Sequence, residues 1–207
     1  MERFVTLDAT ACPLGLANVD TDQLIPARFM SRSRAQGYGD FLFHDLRVDA
    51  QGAAKPGFVL NDPRYAGAQI LVARHNFGTG SSREAAVYAL WDYGIRCVIA
   101  PSFGDIFASN AVKNGLLPAV VADADVEHLL KMLESATPPS LHVDLEGQTI
   151  GGHVKFAIDA VRRLQLLNGW DDIDITLRYQ QEIAAYRARR MADQSWVGPA
   201  TTTTIAS

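Results

Sequence analysis

Cysteine is scarce in this chain, with two in 207 residues, Cys12 and Cys97. Neither has a histidine or a second cysteine at metal-ligand spacing, so the chain carries no zinc or iron–sulfur motif and no metal is expected on it. Cys97, inside Ile95 to Ala100, reads as a buried apolar filler. The place of Cys12 beside Pro13 allows it to be exposed, with nothing marking it as a nucleophile. Positive charge is short as well: 19 Lys and Arg stand against 23 Asp and Glu, for a net charge of -4. The densest basic run is Arg187 to Arg190, too little for bulk association with nucleic acid. Long apolar runs are missing, and the opening MERFVTLDAT has no signal-peptide core, so neither a membrane nor an export route is expected. A reducing, cytoplasmic setting fits these absences. There is no internal repeat, no heptad pattern and no low-complexity stretch before the final TTTTIAS. What remains, 48% hydrophobic and 20% charged, is the composition of a globular protein with a real core.

The most informative stretch runs from Gln69 to Tyr93, QILVARHNFGTGSSREAAVYALWDY. Ile70, Leu71 and Val72 read as a short buried strand. Gly78, Thr79 and Gly80 then form a turn whose glycines let backbone approach a ligand closely. Ser81 and Ser82 follow, and Ala85 to Leu90 is helix-forming, with Val87, Leu90 and Trp91 as apolar anchors. Ser81 and Glu84 have the spacing of a capping box. Free N–H groups and the positive end of the helix dipole make this point suited to an anion. Arg83 adds a fork-shaped donor for a carboxylate or phosphate. An ordinary capped helix after an ordinary turn, with Arg83 in solvent, is the alternative. A P-loop is disfavoured because GTGSSRE lacks its lysine, and the glycine spacing is not that of a dinucleotide fingerprint.

Around this stretch the pattern is that of an α/β protein. Phe4, Val5 and Leu7 suggest a first strand ending near Asp8. In NVDTDQLIP, Asp20 and Asp22 flank Thr21, and they suit a turn, a cation, or the orienting of an arginine or histidine. Arg28 to Asp40 holds Arg28, Arg32 and Arg34 among serines and glycines, and reads as a mobile basic loop able to close over an anion or simply lie on the surface. Gly94 is a C-cap, and Ile95 to Ala100 is a second buried strand, so strand, helix and strand make a βαβ unit. Ser102 and Asp105 are spaced to start another helix, ended by Asn114-Gly115. Leu116 to Val121 is a strand in which Pro118 marks an edge or an irregularity. Asp123 to Ser135 is an amphipathic helix through Val126, Leu129, Leu130 and Leu133.

Thr137 to Pro139 is a break, followed by a hairpin, Leu141 to Leu145 and Gln148 to Ile158, turning at Glu146-Gly147. Asp159 caps a helix that Asn168-Gly169 stops, and Asp171 to Tyr186 resumes helically in two pieces. Of five scattered histidines only His75 adjoins the glycine turn, where a structural role is as natural as a place in a pocket. One domain over residues 1–193 is expected, with 137–193 as its C-terminal hairpin and helical extension, and 194–207 as a flexible tail.

Four segments carry a resemblance: NVDTDQLIPARF, NFGTGSSRE, DYGIRCVIAPSFGDIFASNAVKNGLLP and LLNGWDDIDITL. Together they make the chain similar to small subunits of 3-isopropylmalate dehydratase, the swivel-domain part of the aconitase superfamily, over roughly Phe4 to Arg190. The resemblance implies a mixed β core with flanking helices. It implies a separate large subunit holding a [4Fe–4S] cluster through its own cysteines. It also implies a hydro-lyase reaction that converts 2-isopropylmalate to 3-isopropylmalate by way of isopropylmaleate in leucine synthesis, on a small hydroxy-dicarboxylate. The family's base maps onto Ser81 and its carboxylate-binding arginine onto Arg83, with Ser82 beside them. Its substrate-selecting loop maps onto Arg28 to Asp40. The chain departs from the usual pattern at Thr79, at Ala85 where histidine is common, and at Val87-Tyr88 where Pro-Trp is common. Another 2-hydroxy di- or tricarboxylate is the alternative substrate class, and a non-catalytic carboxylate-binding swivel protein the alternative role.

Overall fold

The structure is a computed structural model that describes residues 1–80, 83–135, 137, 139–194 and 196. It divides into two compact units, Met1–Trp170 and Asp171–Ser207. In the first unit the elements run β1 (Thr6–Pro13), α1 (Thr21–Leu24), α2 (His44–Arg47), β2 (Ile70–Val72), α3 (Glu84–Tyr93), β3 (Cys97–Ala100), α4 (Asp105–Lys113), β4 (Leu117–Val120), α5 (Asp123–Leu133), β5 (Ser140–Asp144), β6 (Thr149–Ile150), β7 (Val154–Lys155) and α6 (Ala160–Asn168). Five single 3-10 turns lie between β1 and β2.

Among the described residues seven strands form one mixed sheet in the order β4-β3-β2-β1-β5-β6-β7. β4, β3, β2 and β1 are parallel, and β1 turns the sheet antiparallel through its pairing with β5. The short runs ILV and CVIA are buried along their whole length, as a parallel strand covered on both faces must be. Their alternate residues feed two cores. Leu71, Val98 and Ala100 pack with Ala86, Val87 and Leu90 of α3. Ile70, Val72, Cys97 and Ile99 pack on the other face with Val126, Leu129, Leu130 and Leu133 of α5. Those four are the positions the helical period selects, and each contributes about 1.5–3 kcal/mol by leaving water. β4 is the sheet's edge, which is where Pro118, lacking an N–H, is tolerated. Among the described residues no helix is long and apolar enough to cross a membrane.

The structure departs from the expected elements at β1 and in the hairpin. β1 begins at Thr6 and runs to Pro13, well past the expected end at Asp8, because it is the central strand that β2 and β5 both need as a partner. Cys12 is consequently 0% exposed rather than open to solvent. The expected run Gln148 to Ile158 is two strands, since Gly151 and Gly152 take positive φ and turn the chain again. The hairpin also joins the main sheet, its first strand lying along β1 over five residue pairs. By contrast Asp159 caps α6 by accepting from the N–H groups of Val161 and Arg162, and Gly169 closes it at φ 71°, as the sequence indicates.

The second unit holds α7 (Asp172–Leu177) and α8 (Gln180–Asp193), the two helical pieces expected there. Asp171 caps α7 in a reciprocal box with Asp174. Neither helix has a buried residue. The tail expected from residue 194 lies, apart from Gln194 and Trp196, outside the described residues.

Candidate active site

The carboxyl ends of parallel strands are where an open α/β sheet offers a crevice, because the connections there diverge. Here three connections are drawn together at that edge. The chain after β1 reaches the chain after β2: Gly78 N–H donates to Val19 O at 2.7 Å, and Thr21 N–H donates to Thr79 O at 3.0 Å. The chain after β2 reaches the chain after β3: Phe77 N–H donates to Ser102 O at 3.0 Å, and Gly104 N–H donates to Phe77 O at 2.9 Å. Single parallel bridges, Asp20 with Thr79 and Phe77 with Phe103, extend the sheet's pairing into the loops.

Side chains finish the junction. Asn76 and Asn18 both take positive φ, at 60° and 54°, a conformation asparagine tolerates better than most residues. Asn76 Nδ2 donates to Asn18 Oδ1 at 2.8 Å, and Asn76 N–H donates to Ser102 Oγ at 2.8 Å. Beneath the turn Phe77, Phe103 and Phe107 pack ring against ring. Sequence reading missed Asn18, Asn76, Ser102 and Phe107 as parts of the site. An asparagine beside a glycine turn is a usable sequence signal of unusual backbone, but the pairing of Asn76 with Asn18 across two loops is not.

A pocket of about 250 Å³ opens at this junction, lined by Thr21, Gly78, Thr79, Gly80, Arg83, Gly104, Asp105, Ile106 and Phe107. Among the described residues this lining combines one guanidinium, one carboxylate, two hydroxyls, turn backbone and an apolar wall. Arg83 is the N-cap of α3, where a cation is opposed by the helix dipole. It is held there by an ion pair between its Nη1 and Asp22 Oδ1. The Arg83 side chain is 17% exposed and that of Asp22 57%, so the pair faces solvent on the aspartate side. Asp20 caps α1 in a reciprocal box with Gln23.

The structure brings together Asp20, Asp22, Gly78, Thr79, Gly80 and Arg83. It does not bring in the basic loop: among the described residues none of Arg28, Arg32 and Arg34 lines this pocket. Arg28 pairs with Asp45 and Arg34 with Asp92, while the Arg32 guanidinium lies 5.1 Å from the centre of the Phe41 ring. Arg28 holds the Asp45 carboxyl at a pKa of about 2, chiefly by hydrogen bonding. His75 is exposed, and among the described residues it meets the junction through its carbonyl, which accepts from Asn18 N–H.

Two expected caps are different. Glu84 is the first residue of α3, after Arg83 as N-cap, so it is not the third position of a Ser81 box. Its carboxylate accepts from Asn114 Nδ2 at 3.0 Å instead. Ser102 likewise does not cap α4, whose N-cap is Gly104 without a side-chain bond, because its hydroxyl is engaged with Asn76. Ser81 and Ser82 lie outside the described residues.

The two thiols do not fit an iron–sulfur cluster. Cys12 and Cys97 are both fully buried and belong to cores on opposite faces of the sheet. Burial, with a smaller contribution from Asp62, pushes the Cys12 thiol up to about 12, and burial pushes Cys97 up as well. Thiolates, the ligand form, are therefore disfavoured at both. Among the described residues no group of three or more His, Cys, Asp or Glu is placed to hold a metal ion.

Residues 1–124 match the family model of the aconitase C-terminal domain. With its mixed sheet and flanking helices, the chain is an aconitase-type swivel domain. It is 49% identical over 200 residues to the 3-isopropylmalate dehydratase small subunit of Rhodospirillum centenum, covering 95% of this chain and 98% of that one. It is 47% identical to the small subunit of Brevibacillus brevis, covering 92% and 100% of the two chains. The chain belongs to the family of 3-isopropylmalate dehydratase small subunits. A solved structure titled 3-isopropylmalate dehydratase from Methanocaldococcus jannaschii superposes with a TM-score of 0.60 at 24% identity, covering 88% of this chain and 99% of that one. At that identity the likeness speaks for the fold.

Proposed function

We propose that this chain is the small subunit of a heteromeric hydro-lyase that interconverts 2-isopropylmalate and 3-isopropylmalate through isopropylmaleate in leucine biosynthesis. The observation that carries the reading is the pocket itself. Arg83, held by Asp22, stands in one cavity with the apolar side chains of Ile106 and Phe107, a combination suited to an acid with a branched alkyl group. Family membership at 49% identity over nearly the full length supports the same substrate class.

In this reading Arg83 binds one substrate carboxylate through the guanidinium edge that Asp22 leaves open, and so fixes the carbon skeleton. Ser81, two residues before Arg83, takes the proton from the carbon next to the hydroxyl-bearing one. As the hydroxyl departs, the carbon–carbon double bond of isopropylmaleate forms. Water then adds in the opposite sense, and Ser81 returns the proton to the other carbon. A serine is a poor base unless its alkoxide is stabilised, and the N–H groups at the start of α3 with the Arg83 charge supply that stabilisation. A [4Fe–4S] cluster on the large subunit would supply the Lewis acid for the departing hydroxyl.

Among the described residues the pocket lining holds one guanidinium, that of Arg83, while Asp22 and Asp105 stand close by with negative charge. A second carboxylate gains no cation from this lining, which supports a site completed by the large subunit.

The test is turnover by the chain mixed anaerobically with a cluster-reconstituted large subunit, followed by ultraviolet absorbance of the unsaturated intermediate. Isopropylmalate should be turned over, and this chain alone should be inactive. Ser81→Ala should lower kcat by about 10²–10⁴-fold without changing thermal stability. Arg83→Lys should raise KM, since a point charge cannot replace the fork. Wild-type turnover by Ser81→Ala would sink the base assignment. Turnover of citraconate or a homologous acid alone would move the substrate to another 2-hydroxy acid. No turnover of any of them by an intact complex would leave a carboxylate-binding protein.

A further inference from the structure

Helix α3 carries two of its charges at the ends where its dipole opposes them. Arg83 is its N-cap and Asp92 stands in its last turn, yet anions are favoured at the start of a helix and cations at its end. Each charge is met by its opposite from a single stretch of chain, residues 20–41. Asp22 meets Arg83. Arg34 meets Asp92 through both Nη atoms, with Nη2 to Oδ1 at 2.8 Å, and Tyr38 N–H donates to Asp92 Oδ2 at 2.8 Å.

The contact at Asp92 is close and built on several groups. A Cβ on Gly39 would lie 2.8 Å from the carbonyl carbon and oxygen of Asp92, so glycine is what allows the loop backbone to rest on the helix end. The Arg34 guanidinium lies 4.4 Å from the centre of the Tyr88 ring, on the same helix. The Tyr38 hydroxyl donates to Arg32 O at 2.7 Å, folding the loop onto itself. The Asp92 side chain is 17% exposed, so its pair with Arg34 is screened less than a surface pair.

We propose that Asp92 is a positioning residue, which latches the stretch 20–41 across α3 through Arg34 and Tyr38 and thereby sets the place of Asp22 against Arg83. Arg34 is then a latch and not a substrate ligand. The inference rests on the reading above that Arg83 binds a substrate carboxylate.

Two experiments test it on different grounds. In the reconstituted complex, Asp92→Asn should raise KM about tenfold while kcat stays within about twofold, and Asp92→Glu should recover part of the loss. Arg34→Gln should also raise KM, and the double variant should fall clearly short of the product of the two single effects, because the Arg34–Asp92 pair is lost in all three. In the isolated full-length chain, trypsin should cut after Arg32 or Arg34 about tenfold faster in Asp92→Asn, with the melting temperature within about 2 °C of wild type. Unchanged KM together with an unchanged cleavage rate would overturn the latch. So would additive effects of the two variants, or a fall in melting temperature that accounts for the faster cleavage. The cleavage assay needs no substrate, so a failure of the Arg83 reading, seen as an unchanged KM in Arg83→Lys, remains distinguishable from a failure of the latch.

Discussion

At Gly78 the backbone takes a φ of 73°, and a Cβ there would lie 2.2 Å from Cγ of Phe107. Two independent costs would follow from Gly78→Ala: left-handed backbone for a residue with a Cβ, about 1–2 kcal/mol, and displacement of a ring that is 3% exposed. The variant should be about 2–4 kcal/mol less stable by urea unfolding. A loss under 1 kcal/mol would mean that the three-ring cluster is loosely packed. The glycine turn was legible in the sequence because glycines flanking a small residue signal an unusual backbone path. The ring under it was not, since Phe107 reads there only as an apolar position of α4.

At the scale of the element, capping shows where local grammar suffices. Asp159 is followed by a helix whose first free N–H groups it satisfies at 3.0 and 3.1 Å, an interaction complete within four residues. Asp159→Ala should cost about 1 kcal/mol, read as a lower urea midpoint at constant slope; a neutral result would mean that water caps α6 equally well. The same grammar misleads at α3 and α4. Glu84 and Ser102 have cap-like spacing, but each finds a tertiary partner, Asn114 and Asn76, that a local rule cannot see. The basic loop is similar. Its arginines are plain in the sequence, whereas their attachment to Asp45 and Asp92 depends on where the chain returns.

For the whole molecule, the two-faced sheet decides the state of the thiols. Cys12 has its pKa raised to about 12 in the fold, against about 8.5 in an unfolded chain. Its contribution to stability is therefore fully present below pH 8.5 and is lost as the pH rises toward 12. Going from pH 7 to pH 10 should cost the wild type about 2 kcal/mol more than Cys12→Ala, measured by denaturant unfolding. Equal losses would mean that water reaches the Cys12 thiol. Both cysteines should also be inert to Ellman's reagent at pH 8 until the chain is unfolded.

Local information was enough for the buried strands ILV and CVIA, the period of α5, the caps of α6, the glycine turn and the family signature around it. Each depends on residues within a turn or two of one another, where periodicity, capping and conformational freedom act. The tertiary structure decided the length of β1, the joining of the hairpin to the main sheet, the burial of Cys12 and the partners of Arg28, Arg34, Glu84 and Ser102. These follow from which strands lie side by side and which loops meet at their ends. Such contacts join residues far apart in the chain, and no local pattern records them.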